Sequence, residues 1–523
     1  MSNLYPLLMC LLVPGEPAIE ADVVIRGATL YDGSGKAGVV GDVAIRGERI
    51  VAVGQFSAAG RPRIVDGKDL VAAPGFIDLH THSDYPLQKK ATRANRNYLH
   101  QGVTTVVTGN CGAGPVDTAK YFQTLESGKI GTNVIHQVPH NDVREHVMKN
   151  ANRAPTADEL RQMEELVDQA MKDGAWGLST GLIYNPGTYA KTDELIALAR
   201  VAARHGGFYA SHIRDEGTGV LSAIDEALTI GREAGLPVHI SHLKASGQRA
   251  WGMAADEIAL IEKACRSGQA VSADQYPYVA SSTSLKATLI PTSFREGSQK
   301  DYLARLGDAE QLAGLRPLVE RGIKQHQDGK SVRIARYAPK PAWQGKDLAA
   351  IAAREKKPAI DIVLEIERNG GAQIVNFGMS EEDVRLIMRQ AFVATASDGS
   401  SMLPSSDTVP HPRSYGCFAR KIGRYAIEDK IITLEHAIRS ASGLPADILH
   451  LPQRGYLKEG YFADMVVFDP RTFRDQATFD KPHQYATGVR YLFVNGQLAI
   501  DDGKFMDVLA GKPLRHQSKA MEK

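Results

Sequence analysis

The sequence predicts an α/β fold: a (β/α)8 TIM-like barrel with a small β-sandwich domain built from both termini and an inserted lid. Three features predict it. Short β-branched runs alternate with amphipathic helical stretches through the middle of the chain. Glycine-punctuated segments of alternating apolar and polar residues flank that middle on both sides. Residues able to bind a metal fall at the expected C-terminal strand ends, where barrels of this class carry their chemistry.

The flanking β segments are 22-DVVIRGATLYDGSG-35 and 42-DVAIRGERIVAVG-54 at one end, 463-ADMVVFDP-470 and 490-RYLFVNGQLAIDDGK-504 at the other. They assign residues 21–70 plus 430–515 to the small domain and 71–429 to the barrel. Eight candidate strands lie in that interval: 76-FIDLH-80, 104-TTVVTG-109, 133-NVIHQV-138, 176-WGLST-180, 208-FYASHI-213, 238-VHISHL-243, 271-VSADQY-276 and 392-FVATAS-397. Helices between them carry recognisable ends. Thr156 and Glu159 form a capping box ahead of 157–173, and Gly174 stops that helix. Another helix runs from Thr192 to Gly206, and Ser380 with Asp383 opens 381–390. A ninth run, 373-QIVNF-377, exceeds the eightfold count and competes with 271–276 for the seventh position. The stretch of about 286–372 before it reads as an insertion, placed as a lid.

Composition excludes several classes. The 523 residues are 43% hydrophobic and 23% charged, with Lys+Arg 62 against Asp+Glu 60. A net charge of +2 generates no field that would favour nucleic acid or an anionic membrane. No apolar run approaches the roughly 20 residues of a membrane span. Cys10, Cys111, Cys265 and Cys417 stand far apart with no CxxC pair, which indicates reduced thiols and a cytoplasmic setting. Residues 4-LYPLLMCLLV-13 resemble a signal-peptide core and small residues follow, but the preceding positive segment is missing. Residues 1–20 are therefore read as a disordered lead, with export as the alternative. Oligomeric state is not encoded in these patterns.

The chemistry concentrates in one set of side chains. In 74-PGFIDLHTHSDYP-86, His80 and His82 end the first strand, and positions i and i+2 of a strand share a face. Cys111 follows the second strand in 109-GNCGAG-114, where glycines let the backbone turn the thiol inward. His212 ends the fifth strand, His242 the sixth, and Asp398 the eighth in 394-ATASDGS-400. Taken singly, each has a bland reading: HxH in a structural role, Cys as a small apolar residue, Asp as a helix cap. Their joint occurrence at the expected ends points instead to a metal centre. His239 is out of phase with His242 and reads as core. His205 reads as a helix C-terminal residue.

The HTH after PGFID, then GNCG, SHIR, SHLK and ASDG followed by 410-PHPRSYG-416, together resemble the N-acyl-D-amino-acid deacylases (D-aminoacylases) of the amidohydrolase superfamily. The resemblance covers most of the chain. It implies a tight zinc on Cys111, His212 and His242, and a second, weaker position involving His80, His82, Cys111 and Asp398. It also implies that Cys111 replaces the carboxylated lysine of hydantoinase-like relatives. Lys244, Tyr278 and Ser281 are implied to hold the substrate α-carboxylate, Tyr184 to support the carbonyl side, and Arg413 to reach side chain or carboxylate.

The expected reaction is zinc-dependent hydrolysis of the amide bond of a small N-acyl-D-amino acid, with Asp398 as the catalytic proton shuttle. Preference for D substrates comes from the resemblance, not from spacing. The Ser-rich loop 399-GSSMLPSSDTV-409 departs from the family pattern, so side-chain preference does not carry over. Two alternatives stand beside this reading. A cyclic-amide hydrolase wants a lysine ending strand four, where only Ser179 and Thr180 occur. A non-catalytic scaffold would be expected to have lost ligands.

Overall fold

The structure is a computed structural model that describes residues 18–517. The lead 1–17, with its signal-like run and Cys10, lies outside the described residues. All eight expected barrel strands form, six of them shorter than the expected run: Phe76–Asp78, Val103–Thr108, Asn133–His136, Gly177–Gly181, Phe208–His212, Val238–Ile240, Val271–Gln275 and Val393–Thr395. We number them one to eight. Each pairs in parallel with the next; strand three links to strand four through a short continuation, Val138–Pro139. Closure comes from a parallel bridge between Thr81 and Gly399, flanked by Asp398 N–H donating to His80 O at 2.8 Å. The last hydrogen bonds of the barrel are therefore made by the loops that carry His80, His82 and Asp398.

Ile77, Val107, Ile135, Phe208 and Ala394 belong to one buried cluster, and helix faces pack outside the strands. The capping-box helix Ala157–Lys172 begins as its sequence signature requires, with both reciprocal bonds of Thr156 and Glu159 present. Ser380 likewise caps Glu381–Met388 by accepting from Asp383 N–H.

The run 373–377 does not enter the barrel. Gln373–Asn376 is the central strand of an antiparallel sheet, between Ser281–Ser284 and Val332–Arg336. The seventh barrel strand is therefore Val271–Gln275. The inserted unit is wider than 286–372, because its sheet uses residues on both sides of that interval. Leu306, Val319, Ile334, Trp343, Ile362 and Ile374 supply a core of its own.

Residues from both ends of the chain build one connected nine-stranded sheet. Val71–Pro74 pairs with Met465–Phe468, joining the two halves. The sheet curls, since Ile50 N–H donates to Tyr461 O and Ile50 shares a core with Met465, Val467 and Phe493. A buried polar network ties this unit to the barrel. Asp464 receives Arg454 Nη1 and Asn133 Nδ2, while Asn495 Nδ2 donates to Asn133 Oδ1 at 2.8 Å. Arg454→Ala strands the Asp464 carboxylate in a dry junction and should cost about 3–5 kcal/mol; a denaturant midpoint unchanged from wild type would contradict this. Among the described residues, no helix is long and apolar enough to cross a membrane.

Candidate metal centre

All six expected metal-type side chains meet at the C-terminal mouth of the barrel. Cys111 Sγ is 3.2 Å from His80 Nε2, 3.4 Å from His212 Nδ1 and 3.6 Å from His242 Nε2. Asp398 Oδ1 is 3.0 Å from His82 Nε2 and 3.7 Å from His80 Nε2. Two overlapping donor sets result, sharing the space between Cys111 and His80. The route differs from simple strand alternation: strand one ends at Asp78, so both histidines stand on the loop beyond it.

Three of these donors sit on strained backbone. Cys111, His242 and Asp398 all have left-handed φ, at 53°, 38° and 49°. Non-glycine residues adopt this region at a cost and persist there when the surroundings over-determine them. His242 N–H donates to Asp274 Oδ1 at 2.7 Å, and Asp398 N–H is taken by the closure bond. Around Cys111, a Cβ on Gly109 would collide with the Gln137 carbonyl and one on Gly112 with Asn141 Oδ1, so the turn demands glycine at both positions.

Electrostatics favour a cation here. Burial, together with the Asp398 and Glu216 charges, pushes the Cys111 thiol well above its usual range. Such a thiol is a poor free nucleophile and becomes a thiolate once a positive ion neutralises it. Burial also lowers His80 to about 4 and His212 well below its ordinary value, so both imidazoles are neutral and have lone pairs free. A tetrahedral zinc with Zn–S about 2.3 Å and Zn–N about 2.0–2.1 Å sets its donors roughly 3.5 Å apart. The Cys111–His212 and Cys111–His242 separations of 3.4 and 3.6 Å match that spacing.

Asp398 is buried, which alone would raise its pKa. Arg413, His82 and His80 outweigh burial and hold it well below the usual carboxylate range. Arg413 Nη1 donates to Asp398 Oδ2 at 2.8 Å, Nη2 reaches Ser282 O at 3.4 Å, and the guanidinium lies over the Tyr276 ring. Lys244 Nζ lies 2.5 Å from Glu216 Oε1 and 2.8 Å from His242 Nδ1. The Tyr184 ring lies tilted at 60° against the His212 ring, 4.9 Å between centroids, and its hydroxyl bonds Thr283 Oγ1 at 3.0 Å. Ser281 begins the strand that brings Ser282 and Thr283 to these contacts.

Tyr278 corrects an expectation. Its N–H donates to Tyr276 O at 3.0 Å, a tight turn at Pro277 that sends the two rings apart. Tyr278 packs under Arg420 and against His411, facing away from the metal donors. Tyr276 takes the inward place, near Lys244 and Arg413. His239 is buried as expected but is more than packing: its Nε2 meets Asp274 Oδ2 at 2.8 Å, and that same oxygen lies 3.4 Å from His80 Nδ1. Asp274 and Glu216 were not singled out in the sequence. Asp274 lies near the C-terminal end of a barrel strand and Glu216 four residues beyond His212, and these are the signals that could have marked them.

Comparison with known proteins places the chain in a family. Residues 63–500 match the amidohydrolase family. A D-aminoacylase of Alcaligenes xylosoxydans xylosoxydans is 38% identical over 94% of this chain and 97% of its own. An N-acyl-D-glutamate deacylase of the same organism is 37% identical over 91% and 93%. The crystal structure of N-acyl-D-glutamate deacylase from Bordetella bronchiseptica, complexed with zinc and a phosphonate mimic of the tetrahedral intermediate, superposes with a TM-score of 0.81 at 33% identity. That match covers 95% of this chain and all of the other. With a family match over most of its length and full-length relatives of 37–38% identity, the chain belongs to the amidohydrolase family and is a metal-dependent amidohydrolase.

Proposed function

We propose that the chain hydrolyses N-acyl-D-amino acids to a carboxylic acid and a free D-amino acid, using zinc held by Cys111, His212 and His242. The observation that carries this reading is Cys111 Sγ standing 3.4 Å from His212 Nδ1 and 3.6 Å from His242 Nε2, with Lys244 beside His242. The names of the full-length relatives, D-aminoacylase and N-acyl-D-glutamate deacylase, support the substrate class. His80, His82 and Asp398 form a second and weaker cation position in this proposal, with Cys111 shared through its 3.2 Å approach to His80 Nε2.

A divalent ion bound there lowers the pKa of water and polarises a carbonyl. The protein's own groups do the rest. Asp398 accepts a proton from the attacking water and returns it to the nitrogen as the C–N bond breaks, so the amine leaves neutral. Arg413 keeps Asp398 ionised and fixes its second oxygen. Lys244 offers the cation for the substrate α-carboxylate, with Tyr276 in place of Tyr278 beside it. Tyr184, with its hydroxyl bonded to the lid strand, walls the carbonyl side. Cytoplasmic residence belongs to the same proposal, supported by Cys111, Cys265 and Cys417 all being unpaired.

A panel of N-acetyl D- and L-amino acids, assayed with and without chelator, tests the reading. Chelator-sensitive release of D-amino acids is expected; turnover confined to L substrates overturns the stereochemical assignment. The cyclic-amide alternative finds no support at strand four, where Ser179 bonds Gly109 O and Thr180 bonds the Tyr209 hydroxyl.

A further inference from the structure

We propose that Glu216 is a positioning residue that holds both tight-site histidines and Lys244 through one carboxylate, a role that rests on the metal reading above. The donor geometry is specific. His212 presents Nδ1 and His242 presents Nε2 to Cys111. Their remaining nitrogens both lie by the same atom, Glu216 Oε1: His242 Nδ1 at 3.0 Å, where Lys244 Nζ also stands 2.8 Å away, and His212 Nε2 at 3.7 Å. Lys244 Nζ reaches that oxygen at 2.5 Å. His212 Nε2 is fully buried and makes no hydrogen bond at ordinary length, so Glu216 is the group that faces it.

A ring nitrogen that binds a cation needs its partner nitrogen protonated, and an acceptor there sets both tautomer and ring angle. One carboxylate serving two rings therefore fixes their mutual orientation as well as each singly. Glu216 together with these two histidines has the residue types of a metal site. The ammonium of Lys244 against its oxygen argues against a ligand role, because a second cation at that atom would be repelled. Glu216 instead couples two functions. The oxygen that orients the metal ligands also anchors the cation offered to the substrate carboxylate.

The test is zinc affinity, measured by competition with a chromogenic chelator, alongside kcat and KM on an N-acetyl-D-amino acid. Glu216→Gln should weaken zinc about 10- to 100-fold, the usual cost of losing an outer-sphere partner, and raise KM. The zinc loss should persist when Lys244→Met is added. If it vanishes in that double variant, Glu216 merely balances the lysine charge and the proposal falls. Zinc affinity and KM unchanged in Glu216→Gln also overturn it. Should Glu216→Gln fail to fold, Glu216→Asp serves: it keeps the charge but retracts the oxygen, so a smaller loss of zinc supports the proposal and none refutes it. A wild-type protein that binds no zinc would instead bring down the metal reading itself, a result distinct from either.

Discussion

Cys111→Ala is expected to leave a folded protein that no longer retains zinc through dialysis and has lost its hydrolase activity. Cys111 is the one side chain within 3.6 Å of donor nitrogens from strands one, five and six, so no neighbour takes its place. Losing an outer-sphere partner alone costs about 10–100-fold in metal affinity, and losing the shared anionic ligand should exceed that. The fold should survive, because the thiol is small and the Gly109–Gly112 turn is held by other bonds, among them Gly109 N–H to Asp84 Oδ1 and Gly112 N–H to Ser179 Oγ. Metal content by elemental analysis, with circular dichroism as the control for folding, decides the matter. A Cys111→Ala protein that keeps stoichiometric zinc would place the ion elsewhere.

Asp398→Asn separates proton transfer from metal binding. The amide is nearly isosteric and its oxygen still accepts from Arg413, so the tight zinc on Cys111, His212 and His242 should remain. What disappears is a base. General acid–base catalysis contributes about 10²- to 10⁴-fold, and kcat should fall within that range while zinc stays near the wild-type level. Wild-type-like rates would remove Asp398 from the mechanism. Arg413 enters the same argument from behind: its guanidinium is committed to Asp398 and Ser282 O, so it positions the base more directly than it reads the substrate.

Some of this centre could be read directly along the chain. His80, His82, Cys111, His212, His242 and Asp398 each follow an apolar run that becomes a barrel strand, and fold symmetry brings such positions to one rim. Periodicity thus named the ligands without any knowledge of their contacts. It failed where the backbone leaves regular geometry. Alternation would have put Tyr276 and Tyr278 on one face, yet the turn at Pro277 separates them. The run 373–377 has the composition of a core strand and is one, but in the inserted antiparallel sheet rather than the barrel. Local composition records burial without recording which sheet does the burying.

What the sequence alone determined is the set of elements and the kinds of atoms each delivers, because hydrophobic period, capping residues and turn glycines act over a few neighbouring positions. The tertiary structure alone decided how those atoms meet: the left-handed backbone at Cys111, His242 and Asp398, and the outer nitrogens of two histidines turned to a single Glu216 oxygen. It also decided that Asp274, at the buried end of its strand, braces His239 and lies against His80. Apart from His212 with Glu216, four positions on, these are contacts across tens to hundreds of positions. They depend on closure of the barrel, and no local pattern carries that information.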